Sequence, residues 1–355
     1  MTTANRETQR PAAVTRRALC LLIALCVAFL LFGCAAKGTD TSASTRPAVT
    51  TTTPDQKLPA EMTTTEAVTT TPSDETQGIL DKCTATICFS LDDRTILFAK
   101  ELHKPIQVAS ITKLVTACTA LQYISPEEVL TVGSELSLVQ KNSSLCQIAK
   151  GQKLTMADLL TGLLVKSGND AAYTVAVNAA RAAAPQEELS DTAAVKAFCG
   201  RMNAFAESIG MTESHFVNPE GWDSDAQHTT VSDMAILANY AMRVPSIRKI
   251  IRIQKKDVQF ASGQTITWEN TNQLLKPDSK YYSAAACGMK TGTTDAAGNC
   301  LASVFSVGGQ SWFILVVGCK SDDDRYVVTR HLYETYCAPA EPETEPSVEP
   351  ATAAS

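Results

Sequence analysis

The chain has 355 residues, 45% hydrophobic and 19% charged, with a formal net charge of −6. That is enough apolar material for a sizeable core, and no basic stretch beyond the N-terminal segment would follow a nucleic acid backbone, which argues against DNA or RNA as a partner. The four histidines form no His-Glu-x-x-His string and the twelve cysteines no Cys-x-x-Cys pair, so the common zinc sites are missing and no metal or organic cofactor is implied.

Arg6, Arg10, Arg16 and Arg17 stand against Glu7 and precede an apolar run from Ala18 to Phe32. This is the charged and apolar pattern of an export signal, shorter than the roughly 20 residues of a membrane-spanning helix. It ends Leu31-Phe32-Gly33-Cys34, which resembles the bacterial lipobox. Residues 1–33 are therefore predicted to be a lipoprotein-type signal peptide, with Cys34 carrying the lipid; an uncleaved signal anchor is the alternative. Either places the rest outside the cell, at the outer face of the cytoplasmic membrane, with a net charge near −9 after residue 33. Residues 34–77 are rich in Thr, Ser, Pro and Glu and predict a disordered tether, and residues 338–355 predict a disordered acidic tail.

Residues 78–337 have the length of one sizeable domain. Two strand-like runs, Cys83–Leu91 and Thr95–Lys100, flank the turn Asp92-Asp93-Arg94 and predict a hairpin. Ile111 to Leu121 is apolar around nearly its whole helical circumference, the pattern of a buried helix, and Pro105 and Ser110 stand where such a helix starts. Thr155 and Asp158 have capping-box spacing before Met156, Leu159, Leu160, Leu163 and Leu164, and Asp170 to Ala183 resumes a helix after a break at Gly168. Strand runs Cys300–Val307 and Ser311–Cys319 meet at Gly308-Gly309, and an amphipathic stretch from about Asp324 to Tyr336 closes the domain. Strands at both ends of a helical middle predict an α+β fold, an antiparallel sheet assembled from both termini around an inserted helical subdomain. Nine cysteines lie in the domain, mostly in apolar runs, and read as buried small hydrophobes; one disulfide is open, its partners unassigned.

Three short strings carry chemistry. Ser110-Ile-Thr-Lys113 sets an amine three residues after a hydroxyl, on one helical face. A serine hydroxyl needs a neighbouring base to be nucleophilic, and lysine serves when burial or a second cation lowers its pKa. Alone, the string equally describes a serine cap followed by a solvated lysine. Ser167-Gly-Asn169 forms a corner between two helices, where a hydroxyl relays a proton to a leaving amine and an amide holds a peptide group. An ordinary helix–helix turn uses the same residues. Lys290-Thr-Gly292 lies in the small-residue run Ser283 to Thr294, just before a strong strand. Glycine in extended chain marks a close backbone approach, so an extended peptide would pair here, its terminal carboxylate facing Lys290 and the hydroxyls of Thr291 and Thr293. The backbone N–H groups of Ser110 and Thr293 would form an oxyanion hole.

In this order, 57 and 123 positions apart, the strings are the set shared by penicillin-binding proteins and class A β-lactamases, with Gly168 where the middle motif has aspartate. Over roughly residues 80–335 the chain resembles the D-alanyl-D-alanine carboxypeptidases, low-molecular-weight penicillin-binding proteins of serine peptidase family S11. Beyond the motifs, the resemblance includes Pro105-Ile-Gln-Val-Ala-Ser110, Ser167-Gly-Asn-Asp-Ala171, Asn218-Pro-Glu-Gly221 with His228 downstream, and Lys290-Thr-Gly-Thr-Thr-Asp-Ala-Ala-Gly298. It implies a β-lactamase/transpeptidase-like fold in which Ser110 is acylated, Lys113 is its base and Ser167 the proton relay. Asn169, Lys290, Thr291 and Thr293 would bind substrate, a peptidoglycan stem peptide that loses its terminal D-alanine, with β-lactams as inhibitors. Glu220 stands where such enzymes often carry histidine, a change expected to alter a loop without touching a catalytic group. The C-terminal β-rich domain and anchor common in these enzymes are not expected here, the N-terminal lipid replacing the anchor.

Rival readings have weaker support. A class A β-lactamase places a Glu-x-x-x-Asn string after the middle motif, and Glu213 to Asn218 is one residue too long. A D,D-endopeptidase or transpeptidase differs only in acceptor and groove shape. A lipoprotein that merely binds wall peptides would not need every catalytic side chain. His103, His215, His228 and His331 read as surface or structural residues.

Overall fold

The computed structural model describes residues 74–260 and 263–338, so the signal segment, Cys34, residues 35–73 of the tether and the tail from residue 339 lie outside the described residues. A short helix, α1 (Asp74–Leu80), precedes the predicted hairpin, β1 (Ala85–Ser90) and β2 (Ile96–Lys100). Then come α2 (Lys113–Ala120), β3 (Val129–Thr131), β4 (Lys153–Thr155), α3 (Met156–Leu164), α4 (Asn169–Ala183) and α5 (Asp191–Ser208). α6 (Val231–Ala241), α7 (Pro245–Ile250) and the small hairpin β5 (Lys255–Gln259) and β6 (Thr265–Glu269) lead back to the sheet. It is completed by β7 (Ala286–Thr294), β8 (Gly298–Val307) and β9 (Gln310–Cys319), and α8 (Asp322–Tyr336) follows.

The sheet order is β2-β1-β9-β8-β7, every neighbouring pair antiparallel, so the first hairpin and the last three strands form one sheet as predicted. Alternation along β9 explains its unbroken apolar sequence. Phe313, Leu315 and Val317 join the core shared with the helical lobe; Ile314 and Val316, on the opposite face, join a second core with Tyr326, Val328 and Leu332 of α8. A strand covered on both faces has no polar side to show. Each such side chain taken out of water stabilises the fold by roughly 2 kcal/mol.

All residues of α2 are buried, Lys113 included, with α3, α4, α5 and α6 packed around it. The capping box is present: Thr155 Oγ1 accepts from the Asp158 N–H at 3.1 Å and donates to its carboxylate at 2.8 Å. Two boundaries differ from the sequence reading. The small-residue run before the strong strand is itself the edge strand β7, its glycines at positions 288 and 292 standing where the neighbouring main chain of Ile251 and Val108 leaves no room for a Cβ. α8 begins at Asp322, two residues early, since Ser321 caps it and three acids occupy its positive N-terminal turn. The disulfide joins Cys83 to Cys319, tying the lead-in of β1 to the end of β9, and the other seven described cysteines are free and buried. Among the described residues, no helix is long and apolar enough to cross a membrane.

Candidate active site

Ser110 lies in a 3-10 turn, Ala109–Thr112, immediately before α2, and not at a side-chain cap. Lys113 Nζ donates to Ser110 Oγ at 2.8 Å and to the Glu220 main-chain carbonyl at 2.8 Å. The lysine is fully buried, and burial pulls its pKa down from 10.5 to about 7, against the opposing pull of the Glu220, Asp170 and Cys146 charges. At neutral pH it is therefore a free amine a good part of the time, hydrogen-bonded to a serine. The contact with Glu220 corrects the expectation that this residue touches no catalytic group. Residue 220 reaches the lysine because the loop 218–222 is bound to α2: Thr116 Oγ1 donates to the Pro219 carbonyl at 2.6 Å, and Asn218 Oδ1 accepts from the Gly221 and Trp222 N–H groups.

Ser167 connects α3 to α4 with a positive φ of 64°, and both it and Asn169 are buried. The corner is fixed by backbone bonds, Gly168 N–H to the Gly162 carbonyl at 2.9 Å and Asn169 N–H to the Ser144 carbonyl at 2.8 Å. Asp170, quoted in the sequence comparison but given no role, holds the facing loop by accepting from the Cys146 and Ile148 N–H groups. Position 168 is glycine for lack of space. A Cβ there would lie 2.6 Å from Asp170 Oδ1 and 2.8 Å from Cys146 Sγ, so the aspartate of the common motif does not fit.

β7 is an edge strand. Gly292 brings it against the nucleophile loop: a Cβ would stand 2.7 Å from the Val108 carbonyl oxygen and 3.1 Å from the Ser110 nitrogen. Lys290, on the same face by alternation, is buried, donates to the Thr291 carbonyl at 2.8 Å, and has no carboxylate within ion-pair distance among the described residues. Burial, and then the charges of Lys113 and Arg325, push its pKa well below the usual lysine range. Thr291 and Thr293 lie on the other face. Thr291 Oγ1 shares a 2.5 Å hydrogen bond with Thr271 Oγ1, and the Thr271 N–H donates to the Val165 carbonyl at 3.3 Å, linking the strand to the helical lobe two residues before Ser167. Thr293 Oγ1 accepts from the Arg325 guanidinium at 3.2 Å. Arg325 was invisible in the sequence, one basic residue in the acidic first turn of α8, yet it is buried and also donates to the Gly292 carbonyl at 3.3 Å.

The structure thus brings Ser110, Lys113 and Lys290 together, with Ser167 and Asn169 on the helical side and Thr291 and Thr293 along the strand. A family model described as D-alanyl-D-alanine carboxypeptidase matches residues 80–320. The chain belongs to that family. It is 31% identical over 255 residues to D-alanyl-D-alanine carboxypeptidase DacD of Salmonella typhimurium, covering 67% of this chain and 58% of that protein. To the D-alanyl-D-alanine carboxypeptidase of Streptomyces sp. strain K15 it is 30% identical over 226 residues, 61% of this chain and 74% of that one. The crystal structure of the Streptomyces K15 DD-transpeptidase superposes with a TM-score of 0.65 at 26% identity, covering 71% of this chain and 96% of that chain. The fold is thus the penicillin-binding α+β fold of these family members. The chain spans only about 58% of the length of DacD.

Proposed function

We propose that this family member is a serine-type D-alanyl-D-alanine carboxypeptidase that removes the terminal D-alanine from peptidoglycan stem peptides and is inhibited by β-lactams. One observation carries the reading: a fully buried lysine, its pKa near 7, donating to a serine hydroxyl beside an edge strand that bears a second buried lysine. Lys113 takes the Ser110 proton as Oγ bonds to the carbonyl carbon between the two D-alanines. The developing oxyanion faces the Ser110 and Thr293 N–H groups. The C–N bond then breaks, and the proton passes through Ser167 to the departing amine of D-alanine. Asn169 orients the peptide, and Lys290 receives the terminal carboxylate, while Thr291 and Thr293, on the other face of the strand, hold that strand to Thr271 and Arg325. Water then hydrolyses the ester. A β-lactam is opened by the same attack, but its amine stays tethered, so the acyl-enzyme persists. The names of the relatives divide on the acceptor, a carboxypeptidase and a DD-transpeptidase both coming from Streptomyces K15.

A β-lactamase reading gains nothing here. Glu213 is bonded to His103 at 2.8 Å and Thr230 at 3.2 Å, and Asn218 fixes its own turn. Export and an N-terminal lipid on Cys34 belong to the same proposal, supported by the charged and apolar pattern of residues 1–33.

Intact-mass spectrometry after exposure to benzylpenicillin is expected to show one adduct, lost in Ser110→Ala, and digestion of a muropeptide mixture to release D-alanine from pentapeptides. An adduct that survives Ser110→Ala overturns the assignment. The reaction also carries a pH signature. A general base works unprotonated, and the free-amine fraction of Lys113 grows as pH rises through about 7. Acylation by a fluorescent penicillin should therefore be ~100-fold slower at pH 5 than at pH 9. A flat profile across that range would remove Lys113 from the role.

A further inference from the structure

We propose that Glu220 is a positioning residue for the reaction: its main-chain carbonyl anchors the Lys113 amine, and its buried carboxyl sets how strongly that amine holds a proton. The inference rests on the reading of Ser110 and Lys113 as nucleophile and base.

Glu220 is only 2% exposed. Its Oε1 accepts from the Tyr173 hydroxyl at 3.0 Å, while Oε2 has no hydrogen-bond partner among the described residues. A buried carboxyl with one hydrogen bond and an orphan oxygen is costly to keep, and leucine or methionine would fill the space without that cost. The groups that face it are Lys113, Tyr173 and Cys199. Lys113 is the only one of these that carries positive charge.

The lysine is pulled in two directions. Burial removes its proton, and nothing else among the described residues lowers its pKa; the Lys113 charge in turn lowers the pKa of the buried Lys290 on β7. Opposing burial are Glu220 first, then Asp170, then Cys146. Asp170 spends its oxygens on the N–H groups of Cys146, Ile148 and Ala171. Glu220 makes a single side-chain hydrogen bond, and burial raises its pKa while Lys113 lowers it, so the two groups titrate as neighbours. Two results follow for catalysis. The carboxylate steadies the ammonium that forms when Lys113 takes the Ser110 proton. It also keeps Lys113 basic enough to take that proton in spite of its burial.

The test is the pH profile of acylation by a fluorescent penicillin, measured on wild type, Glu220→Gln and Tyr173→Phe. Glutamine preserves the main-chain carbonyl, the side-chain length and an acceptor for Tyr173, and removes only the charge. Its acid limb is expected to move down by about one pH unit, with a plateau several-fold lower because the base is weaker. Phenylalanine removes the donor that favours the ionised carboxyl, which weakens the field on Lys113. Its limb should move the same way by about half as much, and it decides the matter if the glutamine variant does not fold. A limb that stays in place in a folded variant, or moves up, overturns the role of Glu220. Absence of a wild-type adduct on Ser110 would instead overturn the catalytic reading beneath it.

Discussion

Exchange of Lys113 for methionine is expected to slow acylation of Ser110 by ~10⁴-fold while leaving the domain folded. The thioether fills the lysine's volume in a helix whose every residue is buried, and it provides no base. Stability should hold or rise. A lysine whose pKa falls from 10.5 unfolded to about 7 folded binds its proton better in the unfolded chain. Below 10.5 that difference opposes folding, by on the order of 4 kcal/mol at pH 7, and methionine abolishes it. Against this stands the loss of two hydrogen bonds, to Ser110 Oγ and the Glu220 carbonyl, at about 1 kcal/mol each. The decisive readings are the thermal midpoint and the adduct mass over time. A folded variant that acylates at the wild-type rate would show that another group deprotonates Ser110.

The second large effect lies outside the catalytic groups. Gly221 has a φ of +86°, and a Cβ there would stand 1.9 Å from the Ala109 carbonyl oxygen and 2.9 Å from Thr112 Oγ1. Ala109 already holds a positive φ of 49° in the turn that presents Ser110. Gly221→Ala therefore puts a side chain on a second left-handed residue, and the obstacle is main chain and cannot rotate away. The turn must shift and take the nucleophile with it. A loss of about 3 kcal/mol in denaturant unfolding is expected, with acylation at least ~100-fold slower. Gly200→Ala in α5, where a Cβ would meet nothing within 4 Å, should be neutral or stabilising by up to ~1 kcal/mol. If Gly221→Ala behaves like that control, the loop 218–222 does not hold the turn in place.

Much of this arrangement was legible beforehand, for identifiable reasons. Period-two and period-3.6 patterns are local, so the end strands and the buried helix at Ile111 to Leu121 could be read directly. The motif order pointed to Ser110, Lys113, Ser167 and Lys290 because each string constrains its own backbone. What escaped depends on distant packing. Glu220 acts through a carbonyl that any residue possesses, and only the docking of its loop on α2 brings that carbonyl to Lys113. Arg325 reaches Gly292 and Thr293 across the sheet edge from a helix that begins at Asp322, with no local signal. The glycine at position 168 read as a helix breaker; aspartate cannot stand there because Asp170 and Cys146, the latter more than twenty residues earlier, fill the space.

The pairing of β1 with β9 has a consequence for how the molecule comes into being. The first long strand to be synthesised finds its inner neighbour in the last, and the bridge from Cys83 to Cys319 closes a loop 236 residues long. Without the final strand the described sheet is two separate hairpins, β1–β2 and β7–β8, and the entropy of closing so large a ring has to be overcome when β9 joins them.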